Sequence, residues 1–393
     1  MDFIGRRYYK INKFALNFLG LWPSQAKTKR IKIRVIFIYT MCLTFLFFQL
    51  CTLVTSKYNL ALVLKVFSHF LPSFIYTVKY NAYYINTKSV KLFMIEIQND
   101  WNALNDKKEI EIIEKYAYFM HVFTGIIMLF TCTCLIGFIF VEFLPIILDI
   151  VVPLNVSRPH DAHVTTEYFI DREKYSVLII LHEVVTVSAG GLTMAATGTM
   201  IMAYAQHACS LMKIVCYRME HVLNENMLQH SNPRIERIIC NRIIHAVNLH
   251  KRALKFVDLI LSAFAISYSV LIISGVASIS LNLYRLLQPY MRHDITELFS
   301  TIILLLAHLV YMFMANYVGQ VVINHNDDIF TTTCNVLWYI APLPSQRMLL
   351  FLMHRMMKSL KLVVCSLFVA SLEGFATLST TALSYLTVLY SIK

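Results

Sequence analysis

The end of the sequence carries residues whose types and spacing could line a path for water or ions. Small and hydroxyl-bearing side chains recur there at intervals of three and four, which places them on one face of a helix. Such a stripe usually indicates close helix packing in a membrane, and the helix alone favours that interpretation. The alternative is a water-lined pore face that aliphatic rings close by dewetting. The stripe consists of Thr377, Thr381, Ser384, Val388 and Ser391 or Ile392.

Catalytic and metal-binding patterns are missing from the sequence. The stretch HEVVT, which begins at His182, lacks the second histidine of a zinc protease, and no serine, histidine and acid are grouped by motif. The nine cysteines form no CxxC pair, which argues against a zinc site or a disulfide framework. We therefore expect no enzyme and no cofactor.

The composition is that of a membrane protein. Of 393 residues, 58% are hydrophobic and 15% are charged, whereas about a quarter of the residues in soluble proteins are charged. The mean hydropathy is +0.60. The net charge of +12 comes from basic residues beside apolar segments, with no compact basic domain, so we expect contact with membrane lipids and no nucleic-acid binding.

Seven apolar segments can cross a bilayer core, which requires about 20 residues of helix. The second segment is the weakest because it contains Lys65, His69 and Pro72. We count it because the charges of the linkers on either side fit the expected topology only if it crosses. The predicted spans are 33–56, 60–80, 118–148, 175–207, 257–285, 298–322 and 362–392.

Basic residues near the span ends orient the chain. Residues 1–34 hold nine basic side chains and a single acid, Asp2, which predicts a cytoplasmic amino terminus and, with seven spans, an extracellular carboxyl terminus. The acidic linker 149–174 then lies outside, together with Asn155 of the only glycosylation motif. The inner linkers 87–116 and 208–253 have helical apolar spacing, which predicts a helical cytoplasmic anchor.

The last segment, if it forms one helix over 362–392, is about 46 Å long and extends beyond the membrane. Its single acid, Glu373, then lies at the inner interface, where a packing role competes with a functional one. The expected fold is therefore all-α, in one receptor domain. Its parts are an amino-terminal segment 1–32, a six-helix bundle 33–322, an anchor segment 323–361 and a last helix 362–393.

Several stretches resemble the insect odorant receptors, most closely the large set found in ants, bees and wasps. The resemblance covers essentially the whole chain and is most specific in its carboxyl-terminal third. The stretches that carry it are PLNVSRPH, EYFIDREKY, NYVGQVVINHNDDIF, LWYIAPLPSQRMLLFLMHR and SLFVASLEGFATLSTTALSYLTVLYS.

The resemblance implies a tuning subunit of a ligand-gated, non-selective cation channel, because the chain lacks the long inner loop of the olfactory co-receptor. Such a subunit forms a heterotetramer with the co-receptor in the dendritic plasma membrane of olfactory neurons. The last helices surround the pore, and aligning the chain ends places Val388 at the gate. Ser391 and Ile392 then fall at the outer pore positions.

The resemblance also implies a ligand pocket in the outer half of the bundle, between spans two, three, four and six. An apolar, aromatic lining suits small volatile or hydrocarbon-like odorants or pheromones. Depth alone assigns the lining, since no motif fixes it. It comprises Phe67, Phe70, Phe74, Cys134, Gly137, Phe138, Val141, Leu178, His182, Val185, Phe299 and Ile303.

Four ionisable residues lie in the outer halves of predicted spans, where a charge is costly unless it is paired or hydrated. Either some of them pair and close the outer end of the bundle, or they extend to the interface. The four are Lys65, His69, Glu142 and Glu183.

Other seven-helix proteins fit less well. G-protein-coupled receptors have the opposite orientation and usually a cytoplasmic tail, and secondary transporters show paired repeats that this sequence lacks. Gustatory receptors share the predicted architecture, so they remain the nearest alternative.

Overall fold

The computed structural model describes residues 4–25, 28–56, 59–151, 164–223, 233–288, 295–365 and 368–391. The described chain is helical apart from one short hairpin, so the all-α prediction is confirmed. Short 3₁₀ turns occupy Ile4–Tyr9 and Trp338–Ile340. Asn155 and Ile392 lie outside the described residues. The helices are α1 (Lys10–Phe18), α2 (Lys29–Thr55), α3 (Leu60–Ile85), α4 (Thr87–Ala103), α5 (Lys107–Val151), α6 (Arg172–Glu220), α7 (Pro233–Leu286), α8 (Ile295–Asn335), α9 (Leu343–Met356) and α10 (Leu372–Ser391).

Six of these helices are long and apolar enough to cross a membrane: α2, α3, α5, α6, α7 and α8. They contain the first six predicted spans, including the weakest one, because α3 continues through Pro72. The seventh, α10, has 20 residues, the length of a bilayer crossing, but with its serines, threonines and tyrosines it contains no stretch apolar enough to count among these six.

Four of the six candidate spanning helices, α5 to α8, are much longer than a bilayer crossing, with 41 to 54 residues. The longest, α7, has 54 residues and is therefore about 81 Å long. The same helices, with α4, contain most of the inner linkers 87–116 and 208–253, so the helical prediction for those linkers is confirmed. These extensions pack around a buried core that includes Phe93, Ile97 and Tyr204.

Polar contacts join the helical extensions to one another. The Arg218 guanidinium of α6 binds both oxygens of Glu109 in α5, at 2.6 and 2.8 Å. The buried carboxylate of Asp100 in α4 lies 2.8 Å from His207 Nε2 and 2.7 Å from Arg252 Nε. Charged groups that are buried among helices with matched partners hold those helices in one register, so the predicted anchor is a connected unit.

The prediction of one helix over 362–392 is wrong for its first ten residues. Strands β1 (Val363–Val364) and β2 (Phe368–Val369) pair in antiparallel fashion, and the Ala370 N–H donates to the Leu362 carbonyl at 2.9 Å. These bonds pair part of the backbone of this apolar stretch without a helix. Cys365 at the turn has a φ of +47°, which a continuous helix would not allow. The last helix begins at Leu372.

Candidate functional site

The last helix packs against its own chain through one face only. Gly374, Leu378 and Ala382 form its buried face, which contacts α7 and α8. The contact includes a hydrogen bond in which the Ser280 hydroxyl of α7 donates to the Ala382 carbonyl at 3.0 Å. Residues four apart on a helix share a face, so this buried stripe leaves the other side of α10 without a neighbour in the described chain.

The hydroxyl stripe lies on the uncovered side of α10. Thr377, Ser384, Val388 and Ser391 are exposed, and Thr381 is half-buried. Val388 exposes 51% of its surface, although it is an aliphatic residue in the middle of an apolar sequence. Apart from Thr381, the described residues of the stripe are therefore not covered by the chain's own bundle.

The hydroxyl groups of the stripe donate to the backbone of their own helix. Thr377 donates to the Glu373 carbonyl at 3.0 Å, Thr381 to Thr377 at 2.8 Å, and Ser384 to Thr380 at 3.0 Å. Each donor is satisfied within the helix, while the oxygen lone pairs still face outward. A surface of this kind can accept hydrogen bonds from water or coordinate a cation without an unpaired donor.

The amino terminus of α10 is capped. The Ser371 hydroxyl accepts from the Gly374 N–H at 3.0 Å, which is the usual pattern of a serine cap. Glu373 lies in the first turn and is exposed, where a negative charge stabilises the helix dipole. This position gives Glu373 a structural role that needs no functional one.

A joint links α8 to the start of α10. The Gln320 side-chain oxygen accepts from the Leu372 N–H at 3.2 Å, and the Phe313 and Phe375 rings meet at 5.4 Å. Gly319 allows the closest approach, since a Cβ there would lie 2.2 Å from the Ala370 carbonyl oxygen. The sequence analysis did not identify this joint. Its signal is an isolated glycine within a long apolar helix.

Three of the predicted ligand-pocket residues form an aromatic row on α3. The Phe67 and Phe70 rings lie 5.9 Å apart in an edge-to-face arrangement, and those of Phe70 and Phe74 are stacked at 6.1 Å. All three are half-buried. The row thus offers partly accessible aromatic surface rather than a sealed core.

Most predicted pocket residues on α5 and α8, and one on α6, lie on the surface of the chain. A Cβ added at Gly137 would meet nothing within 4 Å. Depth along a helix does not fix its rotation, so a depth-based assignment includes outward-facing positions. Val185 and Phe138 are half-buried. The exposed ones are Cys134, Gly137, Val141, Leu178, Phe299 and Ile303.

His182 faces α2 and the loop that precedes α6. Its Nε2–H donates to the Met41 carbonyl at 3.3 Å, and its Nδ1 accepts from the Tyr168 hydroxyl at 2.6 Å. Burial raises the pKa of Tyr168, which keeps this phenol protonated as the donor. The Phe45 ring packs edge-on at 5.6 Å. His182 is therefore held by structural partners on two sides.

Of the four ionisable residues, Lys65 shows the predicted pairing. Its ammonium lies 3.6 Å from Glu297 of α8, a partner that the sequence analysis did not name. Glu297 also forms a close ion pair with Arg285 of α7. Glu183 is buried and accepts from the Val164 N–H at 3.1 Å, and the His69 Nδ1 lies 3.0 Å from the Lys65 carbonyl.

Comparison with known proteins places the chain in a family. The model of the family described as 7tm Odorant receptor matches residues 59–383. The chain belongs to the odorant receptor family. The expectations of a receptor rather than an enzyme, and of a multi-pass membrane protein, are thereby confirmed.

Solved structures share the fold of this odorant receptor. The olfactory receptor OR5 from Machilis hrabei, in complex with eugenol, superposes with a TM-score of 0.78 over 99% of this chain and 98% of that one, at 12% identity. A second structure of OR5 from Machilis hrabei superposes with a TM-score of 0.68 over 99% of this chain and 97% of that one, at 13% identity. No curated protein sequence matches the chain. At these identities the likeness concerns the fold.

Proposed function

We propose that this odorant receptor is a subunit of a ligand-gated, non-selective cation channel. The observation that carries the proposal is the one-sided packing of α10. Its apolar face binds α7 and α8, while Thr377, Ser384, Val388 and Ser391 remain uncovered. A helix that must turn a hydroxyl face toward water inside a membrane needs other copies around a central axis.

The proposed assembly is a heterotetramer with the olfactory co-receptor in the dendritic plasma membrane of olfactory neurons. Four such helices around one axis would bring their hydroxyl faces to a common water-filled path. In this arrangement Val388 narrows the path as an aliphatic ring, and Ser384 and Thr381 line the part nearer the start of α10. Ser391 and Ile392 would occupy the outer mouth.

The proposed ligands are small, apolar odorants or pheromones. They would bind in the outer half of the bundle against the Phe67, Phe70 and Phe74 row, whose half-buried rings offer apolar surface. Eugenol, the ligand in the Machilis structure, is a small aromatic molecule and fits this class. Affinity would come chiefly from burial of apolar area.

The gate assignment is tested by Val388→Ser in cells that also express the co-receptor. We expect a larger basal current and altered permeability, because a hydroxyl removes the aliphatic ring that keeps water out of the closed pore. Leu383→Ser is the matched control: Leu383 exposes 53% of its surface, close to the 51% of Val388, but lies on another face of α10.

The two variants are compared under voltage clamp, with surface labelling to confirm expression. Unchanged leak and permeability in Val388→Ser, with normal surface expression, would exclude Val388 as the gate. An equal change in Leu383→Ser would show that the stripe is not the pore face.

A further inference from the structure

Arg285 is the largest fully buried side chain in the described part of the protein, with no exposed surface. It lies in the last turn of α7, at the end of the bundle where α3 and α8 begin. Its Nη2 donates to Glu297. Nε and Nη1 have no acceptor among the residues that the structure describes. Buried guanidinium N–H groups without an acceptor are costly, so these two donors favour a hydrogen-bond acceptor beside them.

The described charges that pair around Arg285 are also unequal in number. Lys65 and Arg285 both pair with the one carboxylate of Glu297. We call these three residues the Arg285 cluster. Among the described residues, the cluster carries two positive charges and one negative charge. Because the Arg285 side chain is fully buried, this excess positive charge favours a counter-anion beside it.

Another arginine of the chain, Arg218, forms a two-bond pair with a single carboxylate. Arg218 donates from Nε to one oxygen of Glu109 and from Nη2 to the other, at 2.6 and 2.8 Å. That guanidinium has one carboxylate to itself, although 28% of its side chain is exposed. The fully buried Arg285, by contrast, shares the Glu297 carboxylate with Lys65, and its Nε and Nη1 have no acceptor in the described part of the chain. Burial would favour the opposite, with the more buried guanidinium having the more complete set of partners.

We propose that the Arg285 cluster is a binding site for a small monovalent anion. The anion accepts hydrogen bonds from Nε and Nη1 of Arg285 and brings the cluster to neutrality. Chloride and the carboxylate of a short organic acid share this chemistry. A bound anion ties α3, α7 and α8 together at the end of the bundle that the charge pattern places outside.

The site goes beyond odorant gating, so its test does not require channel activity. The full chain is purified in detergent with a bulky sulfonate as the sole anion, and sodium chloride or sodium acetate is added at constant ionic strength. Thermal unfolding is followed by intrinsic fluorescence. We expect a saturable rise in Tm with chloride, acetate or both, since a ligand of the native state stabilises it by mass action.

Two substitutions separate an anion site from a plain ion-pair network. Glu297→Gln removes the competing carboxylate, so it should lower the Tm in sulfonate and reduce the half-saturating anion concentration by about tenfold. Arg285→Gln should abolish the anion-dependent rise. Arg218→Gln is the matched control, because it breaks the two-bond Arg218–Glu109 pair, in which the guanidinium already has its own carboxylate. This variant should lower the Tm equally in every anion.

The experiment distinguishes chloride from a carboxylate as the bound anion. Saturation by chloride alone, or by acetate alone, supports the site and identifies the anion. A Tm that is independent of both anions, in the wild type and in Glu297→Gln, overturns the proposal and assigns the free donors to water. An anion-dependent rise that survives Arg285→Gln places the binding elsewhere and overturns it as well.

Discussion

The side-chain oxygen of Gln320 accepts a hydrogen bond from the backbone N–H of Leu372, the first residue of the last helix, at 3.2 Å. This bond connects α8 to α10 across 52 residues of sequence. The Gln320 Nε2 donates at the same time to Asn324 at 2.8 Å, which fixes the orientation of the amide. This bond therefore ties the position of the start of the proposed pore helix to that of α8.

Gln320→Ala should weaken the response to ligand. Loss of one hydrogen bond costs about 1 kcal/mol, which corresponds to about a fivefold increase in the ligand concentration for half-maximal current. Ser371→Ala is the control, because it also removes about 1 kcal/mol of helix cap but leaves the link to α8 intact. Dose–response curves under voltage clamp, with the co-receptor present, measure both. If the ligand concentration for half-maximal current shifts equally in the two variants, Gln320 only caps α10 and does not couple α8 to it.

Gly319→Ala should destabilise the protein. The new Cβ would lie 2.2 Å from the Ala370 carbonyl oxygen, so the hairpin must move, at a cost of about 1–3 kcal/mol. Gly275→Ala is the matched control in a neighbouring helix, since its Cβ would meet nothing within 4 Å. There the replacement should be neutral or stabilising by up to about 1 kcal/mol, because alanine favours a helix.

The Tm values of the two glycine variants, purified in detergent, decide the matter. If Gly319→Ala is as stable as Gly275→Ala, the close approach of α8 to the hairpin does not constrain the joint.

The spans were predictable because hydropathy reports burial in a membrane directly. The helical anchor was predictable from its apolar period. The hairpin before α10 was not, because Val363, Val364, Phe368 and Val369 are as apolar as a spanning helix. Only the pairing of these residues and the turn at Cys365 distinguish them, and both depend on three-dimensional contacts.

Side-chain partners were less predictable than helices. The sequence marked Lys65 as needing a counter-charge, but Glu297 is 232 positions away and no pattern connects the two. The hydroxyl stripe on α10 was found from its period, while the side that packs depended on Leu378 and Ala382 meeting α7 and α8. Helix rotation also decided which predicted pocket residues point outward, and depth carries no information about rotation.

A histidine in the anchor should make stability depend on pH. The His250 Nε2–H of α7 donates to the Asn326 side-chain oxygen of α8 at 2.9 Å. Burial lowers the pKa of His250 below its ordinary value of 6.5; the bond to Asn326 opposes this shift, and the charge of Arg355 adds to it. The folded protein therefore resists protonation of a group that the unfolded chain protonates readily.

The sign of the pH effect follows from this difference in proton binding. Above its ordinary pKa of 6.5, His250 is neutral in both the folded and the unfolded protein, so its contribution to the free energy of unfolding is fully present. As the pH falls below that value, the unfolded state binds the extra proton and stability declines by at most about 1.4 kcal/mol per pH unit.

His250→Gln should flatten the decline in Tm between about pH 7 and pH 5.5, because its amide can still bond Asn326 but does not titrate. His221→Gln, at an exposed position near the end of α6, should leave the wild-type profile unchanged. A wild-type profile in His250→Gln would show that the acid sensitivity of the anchor comes from other groups.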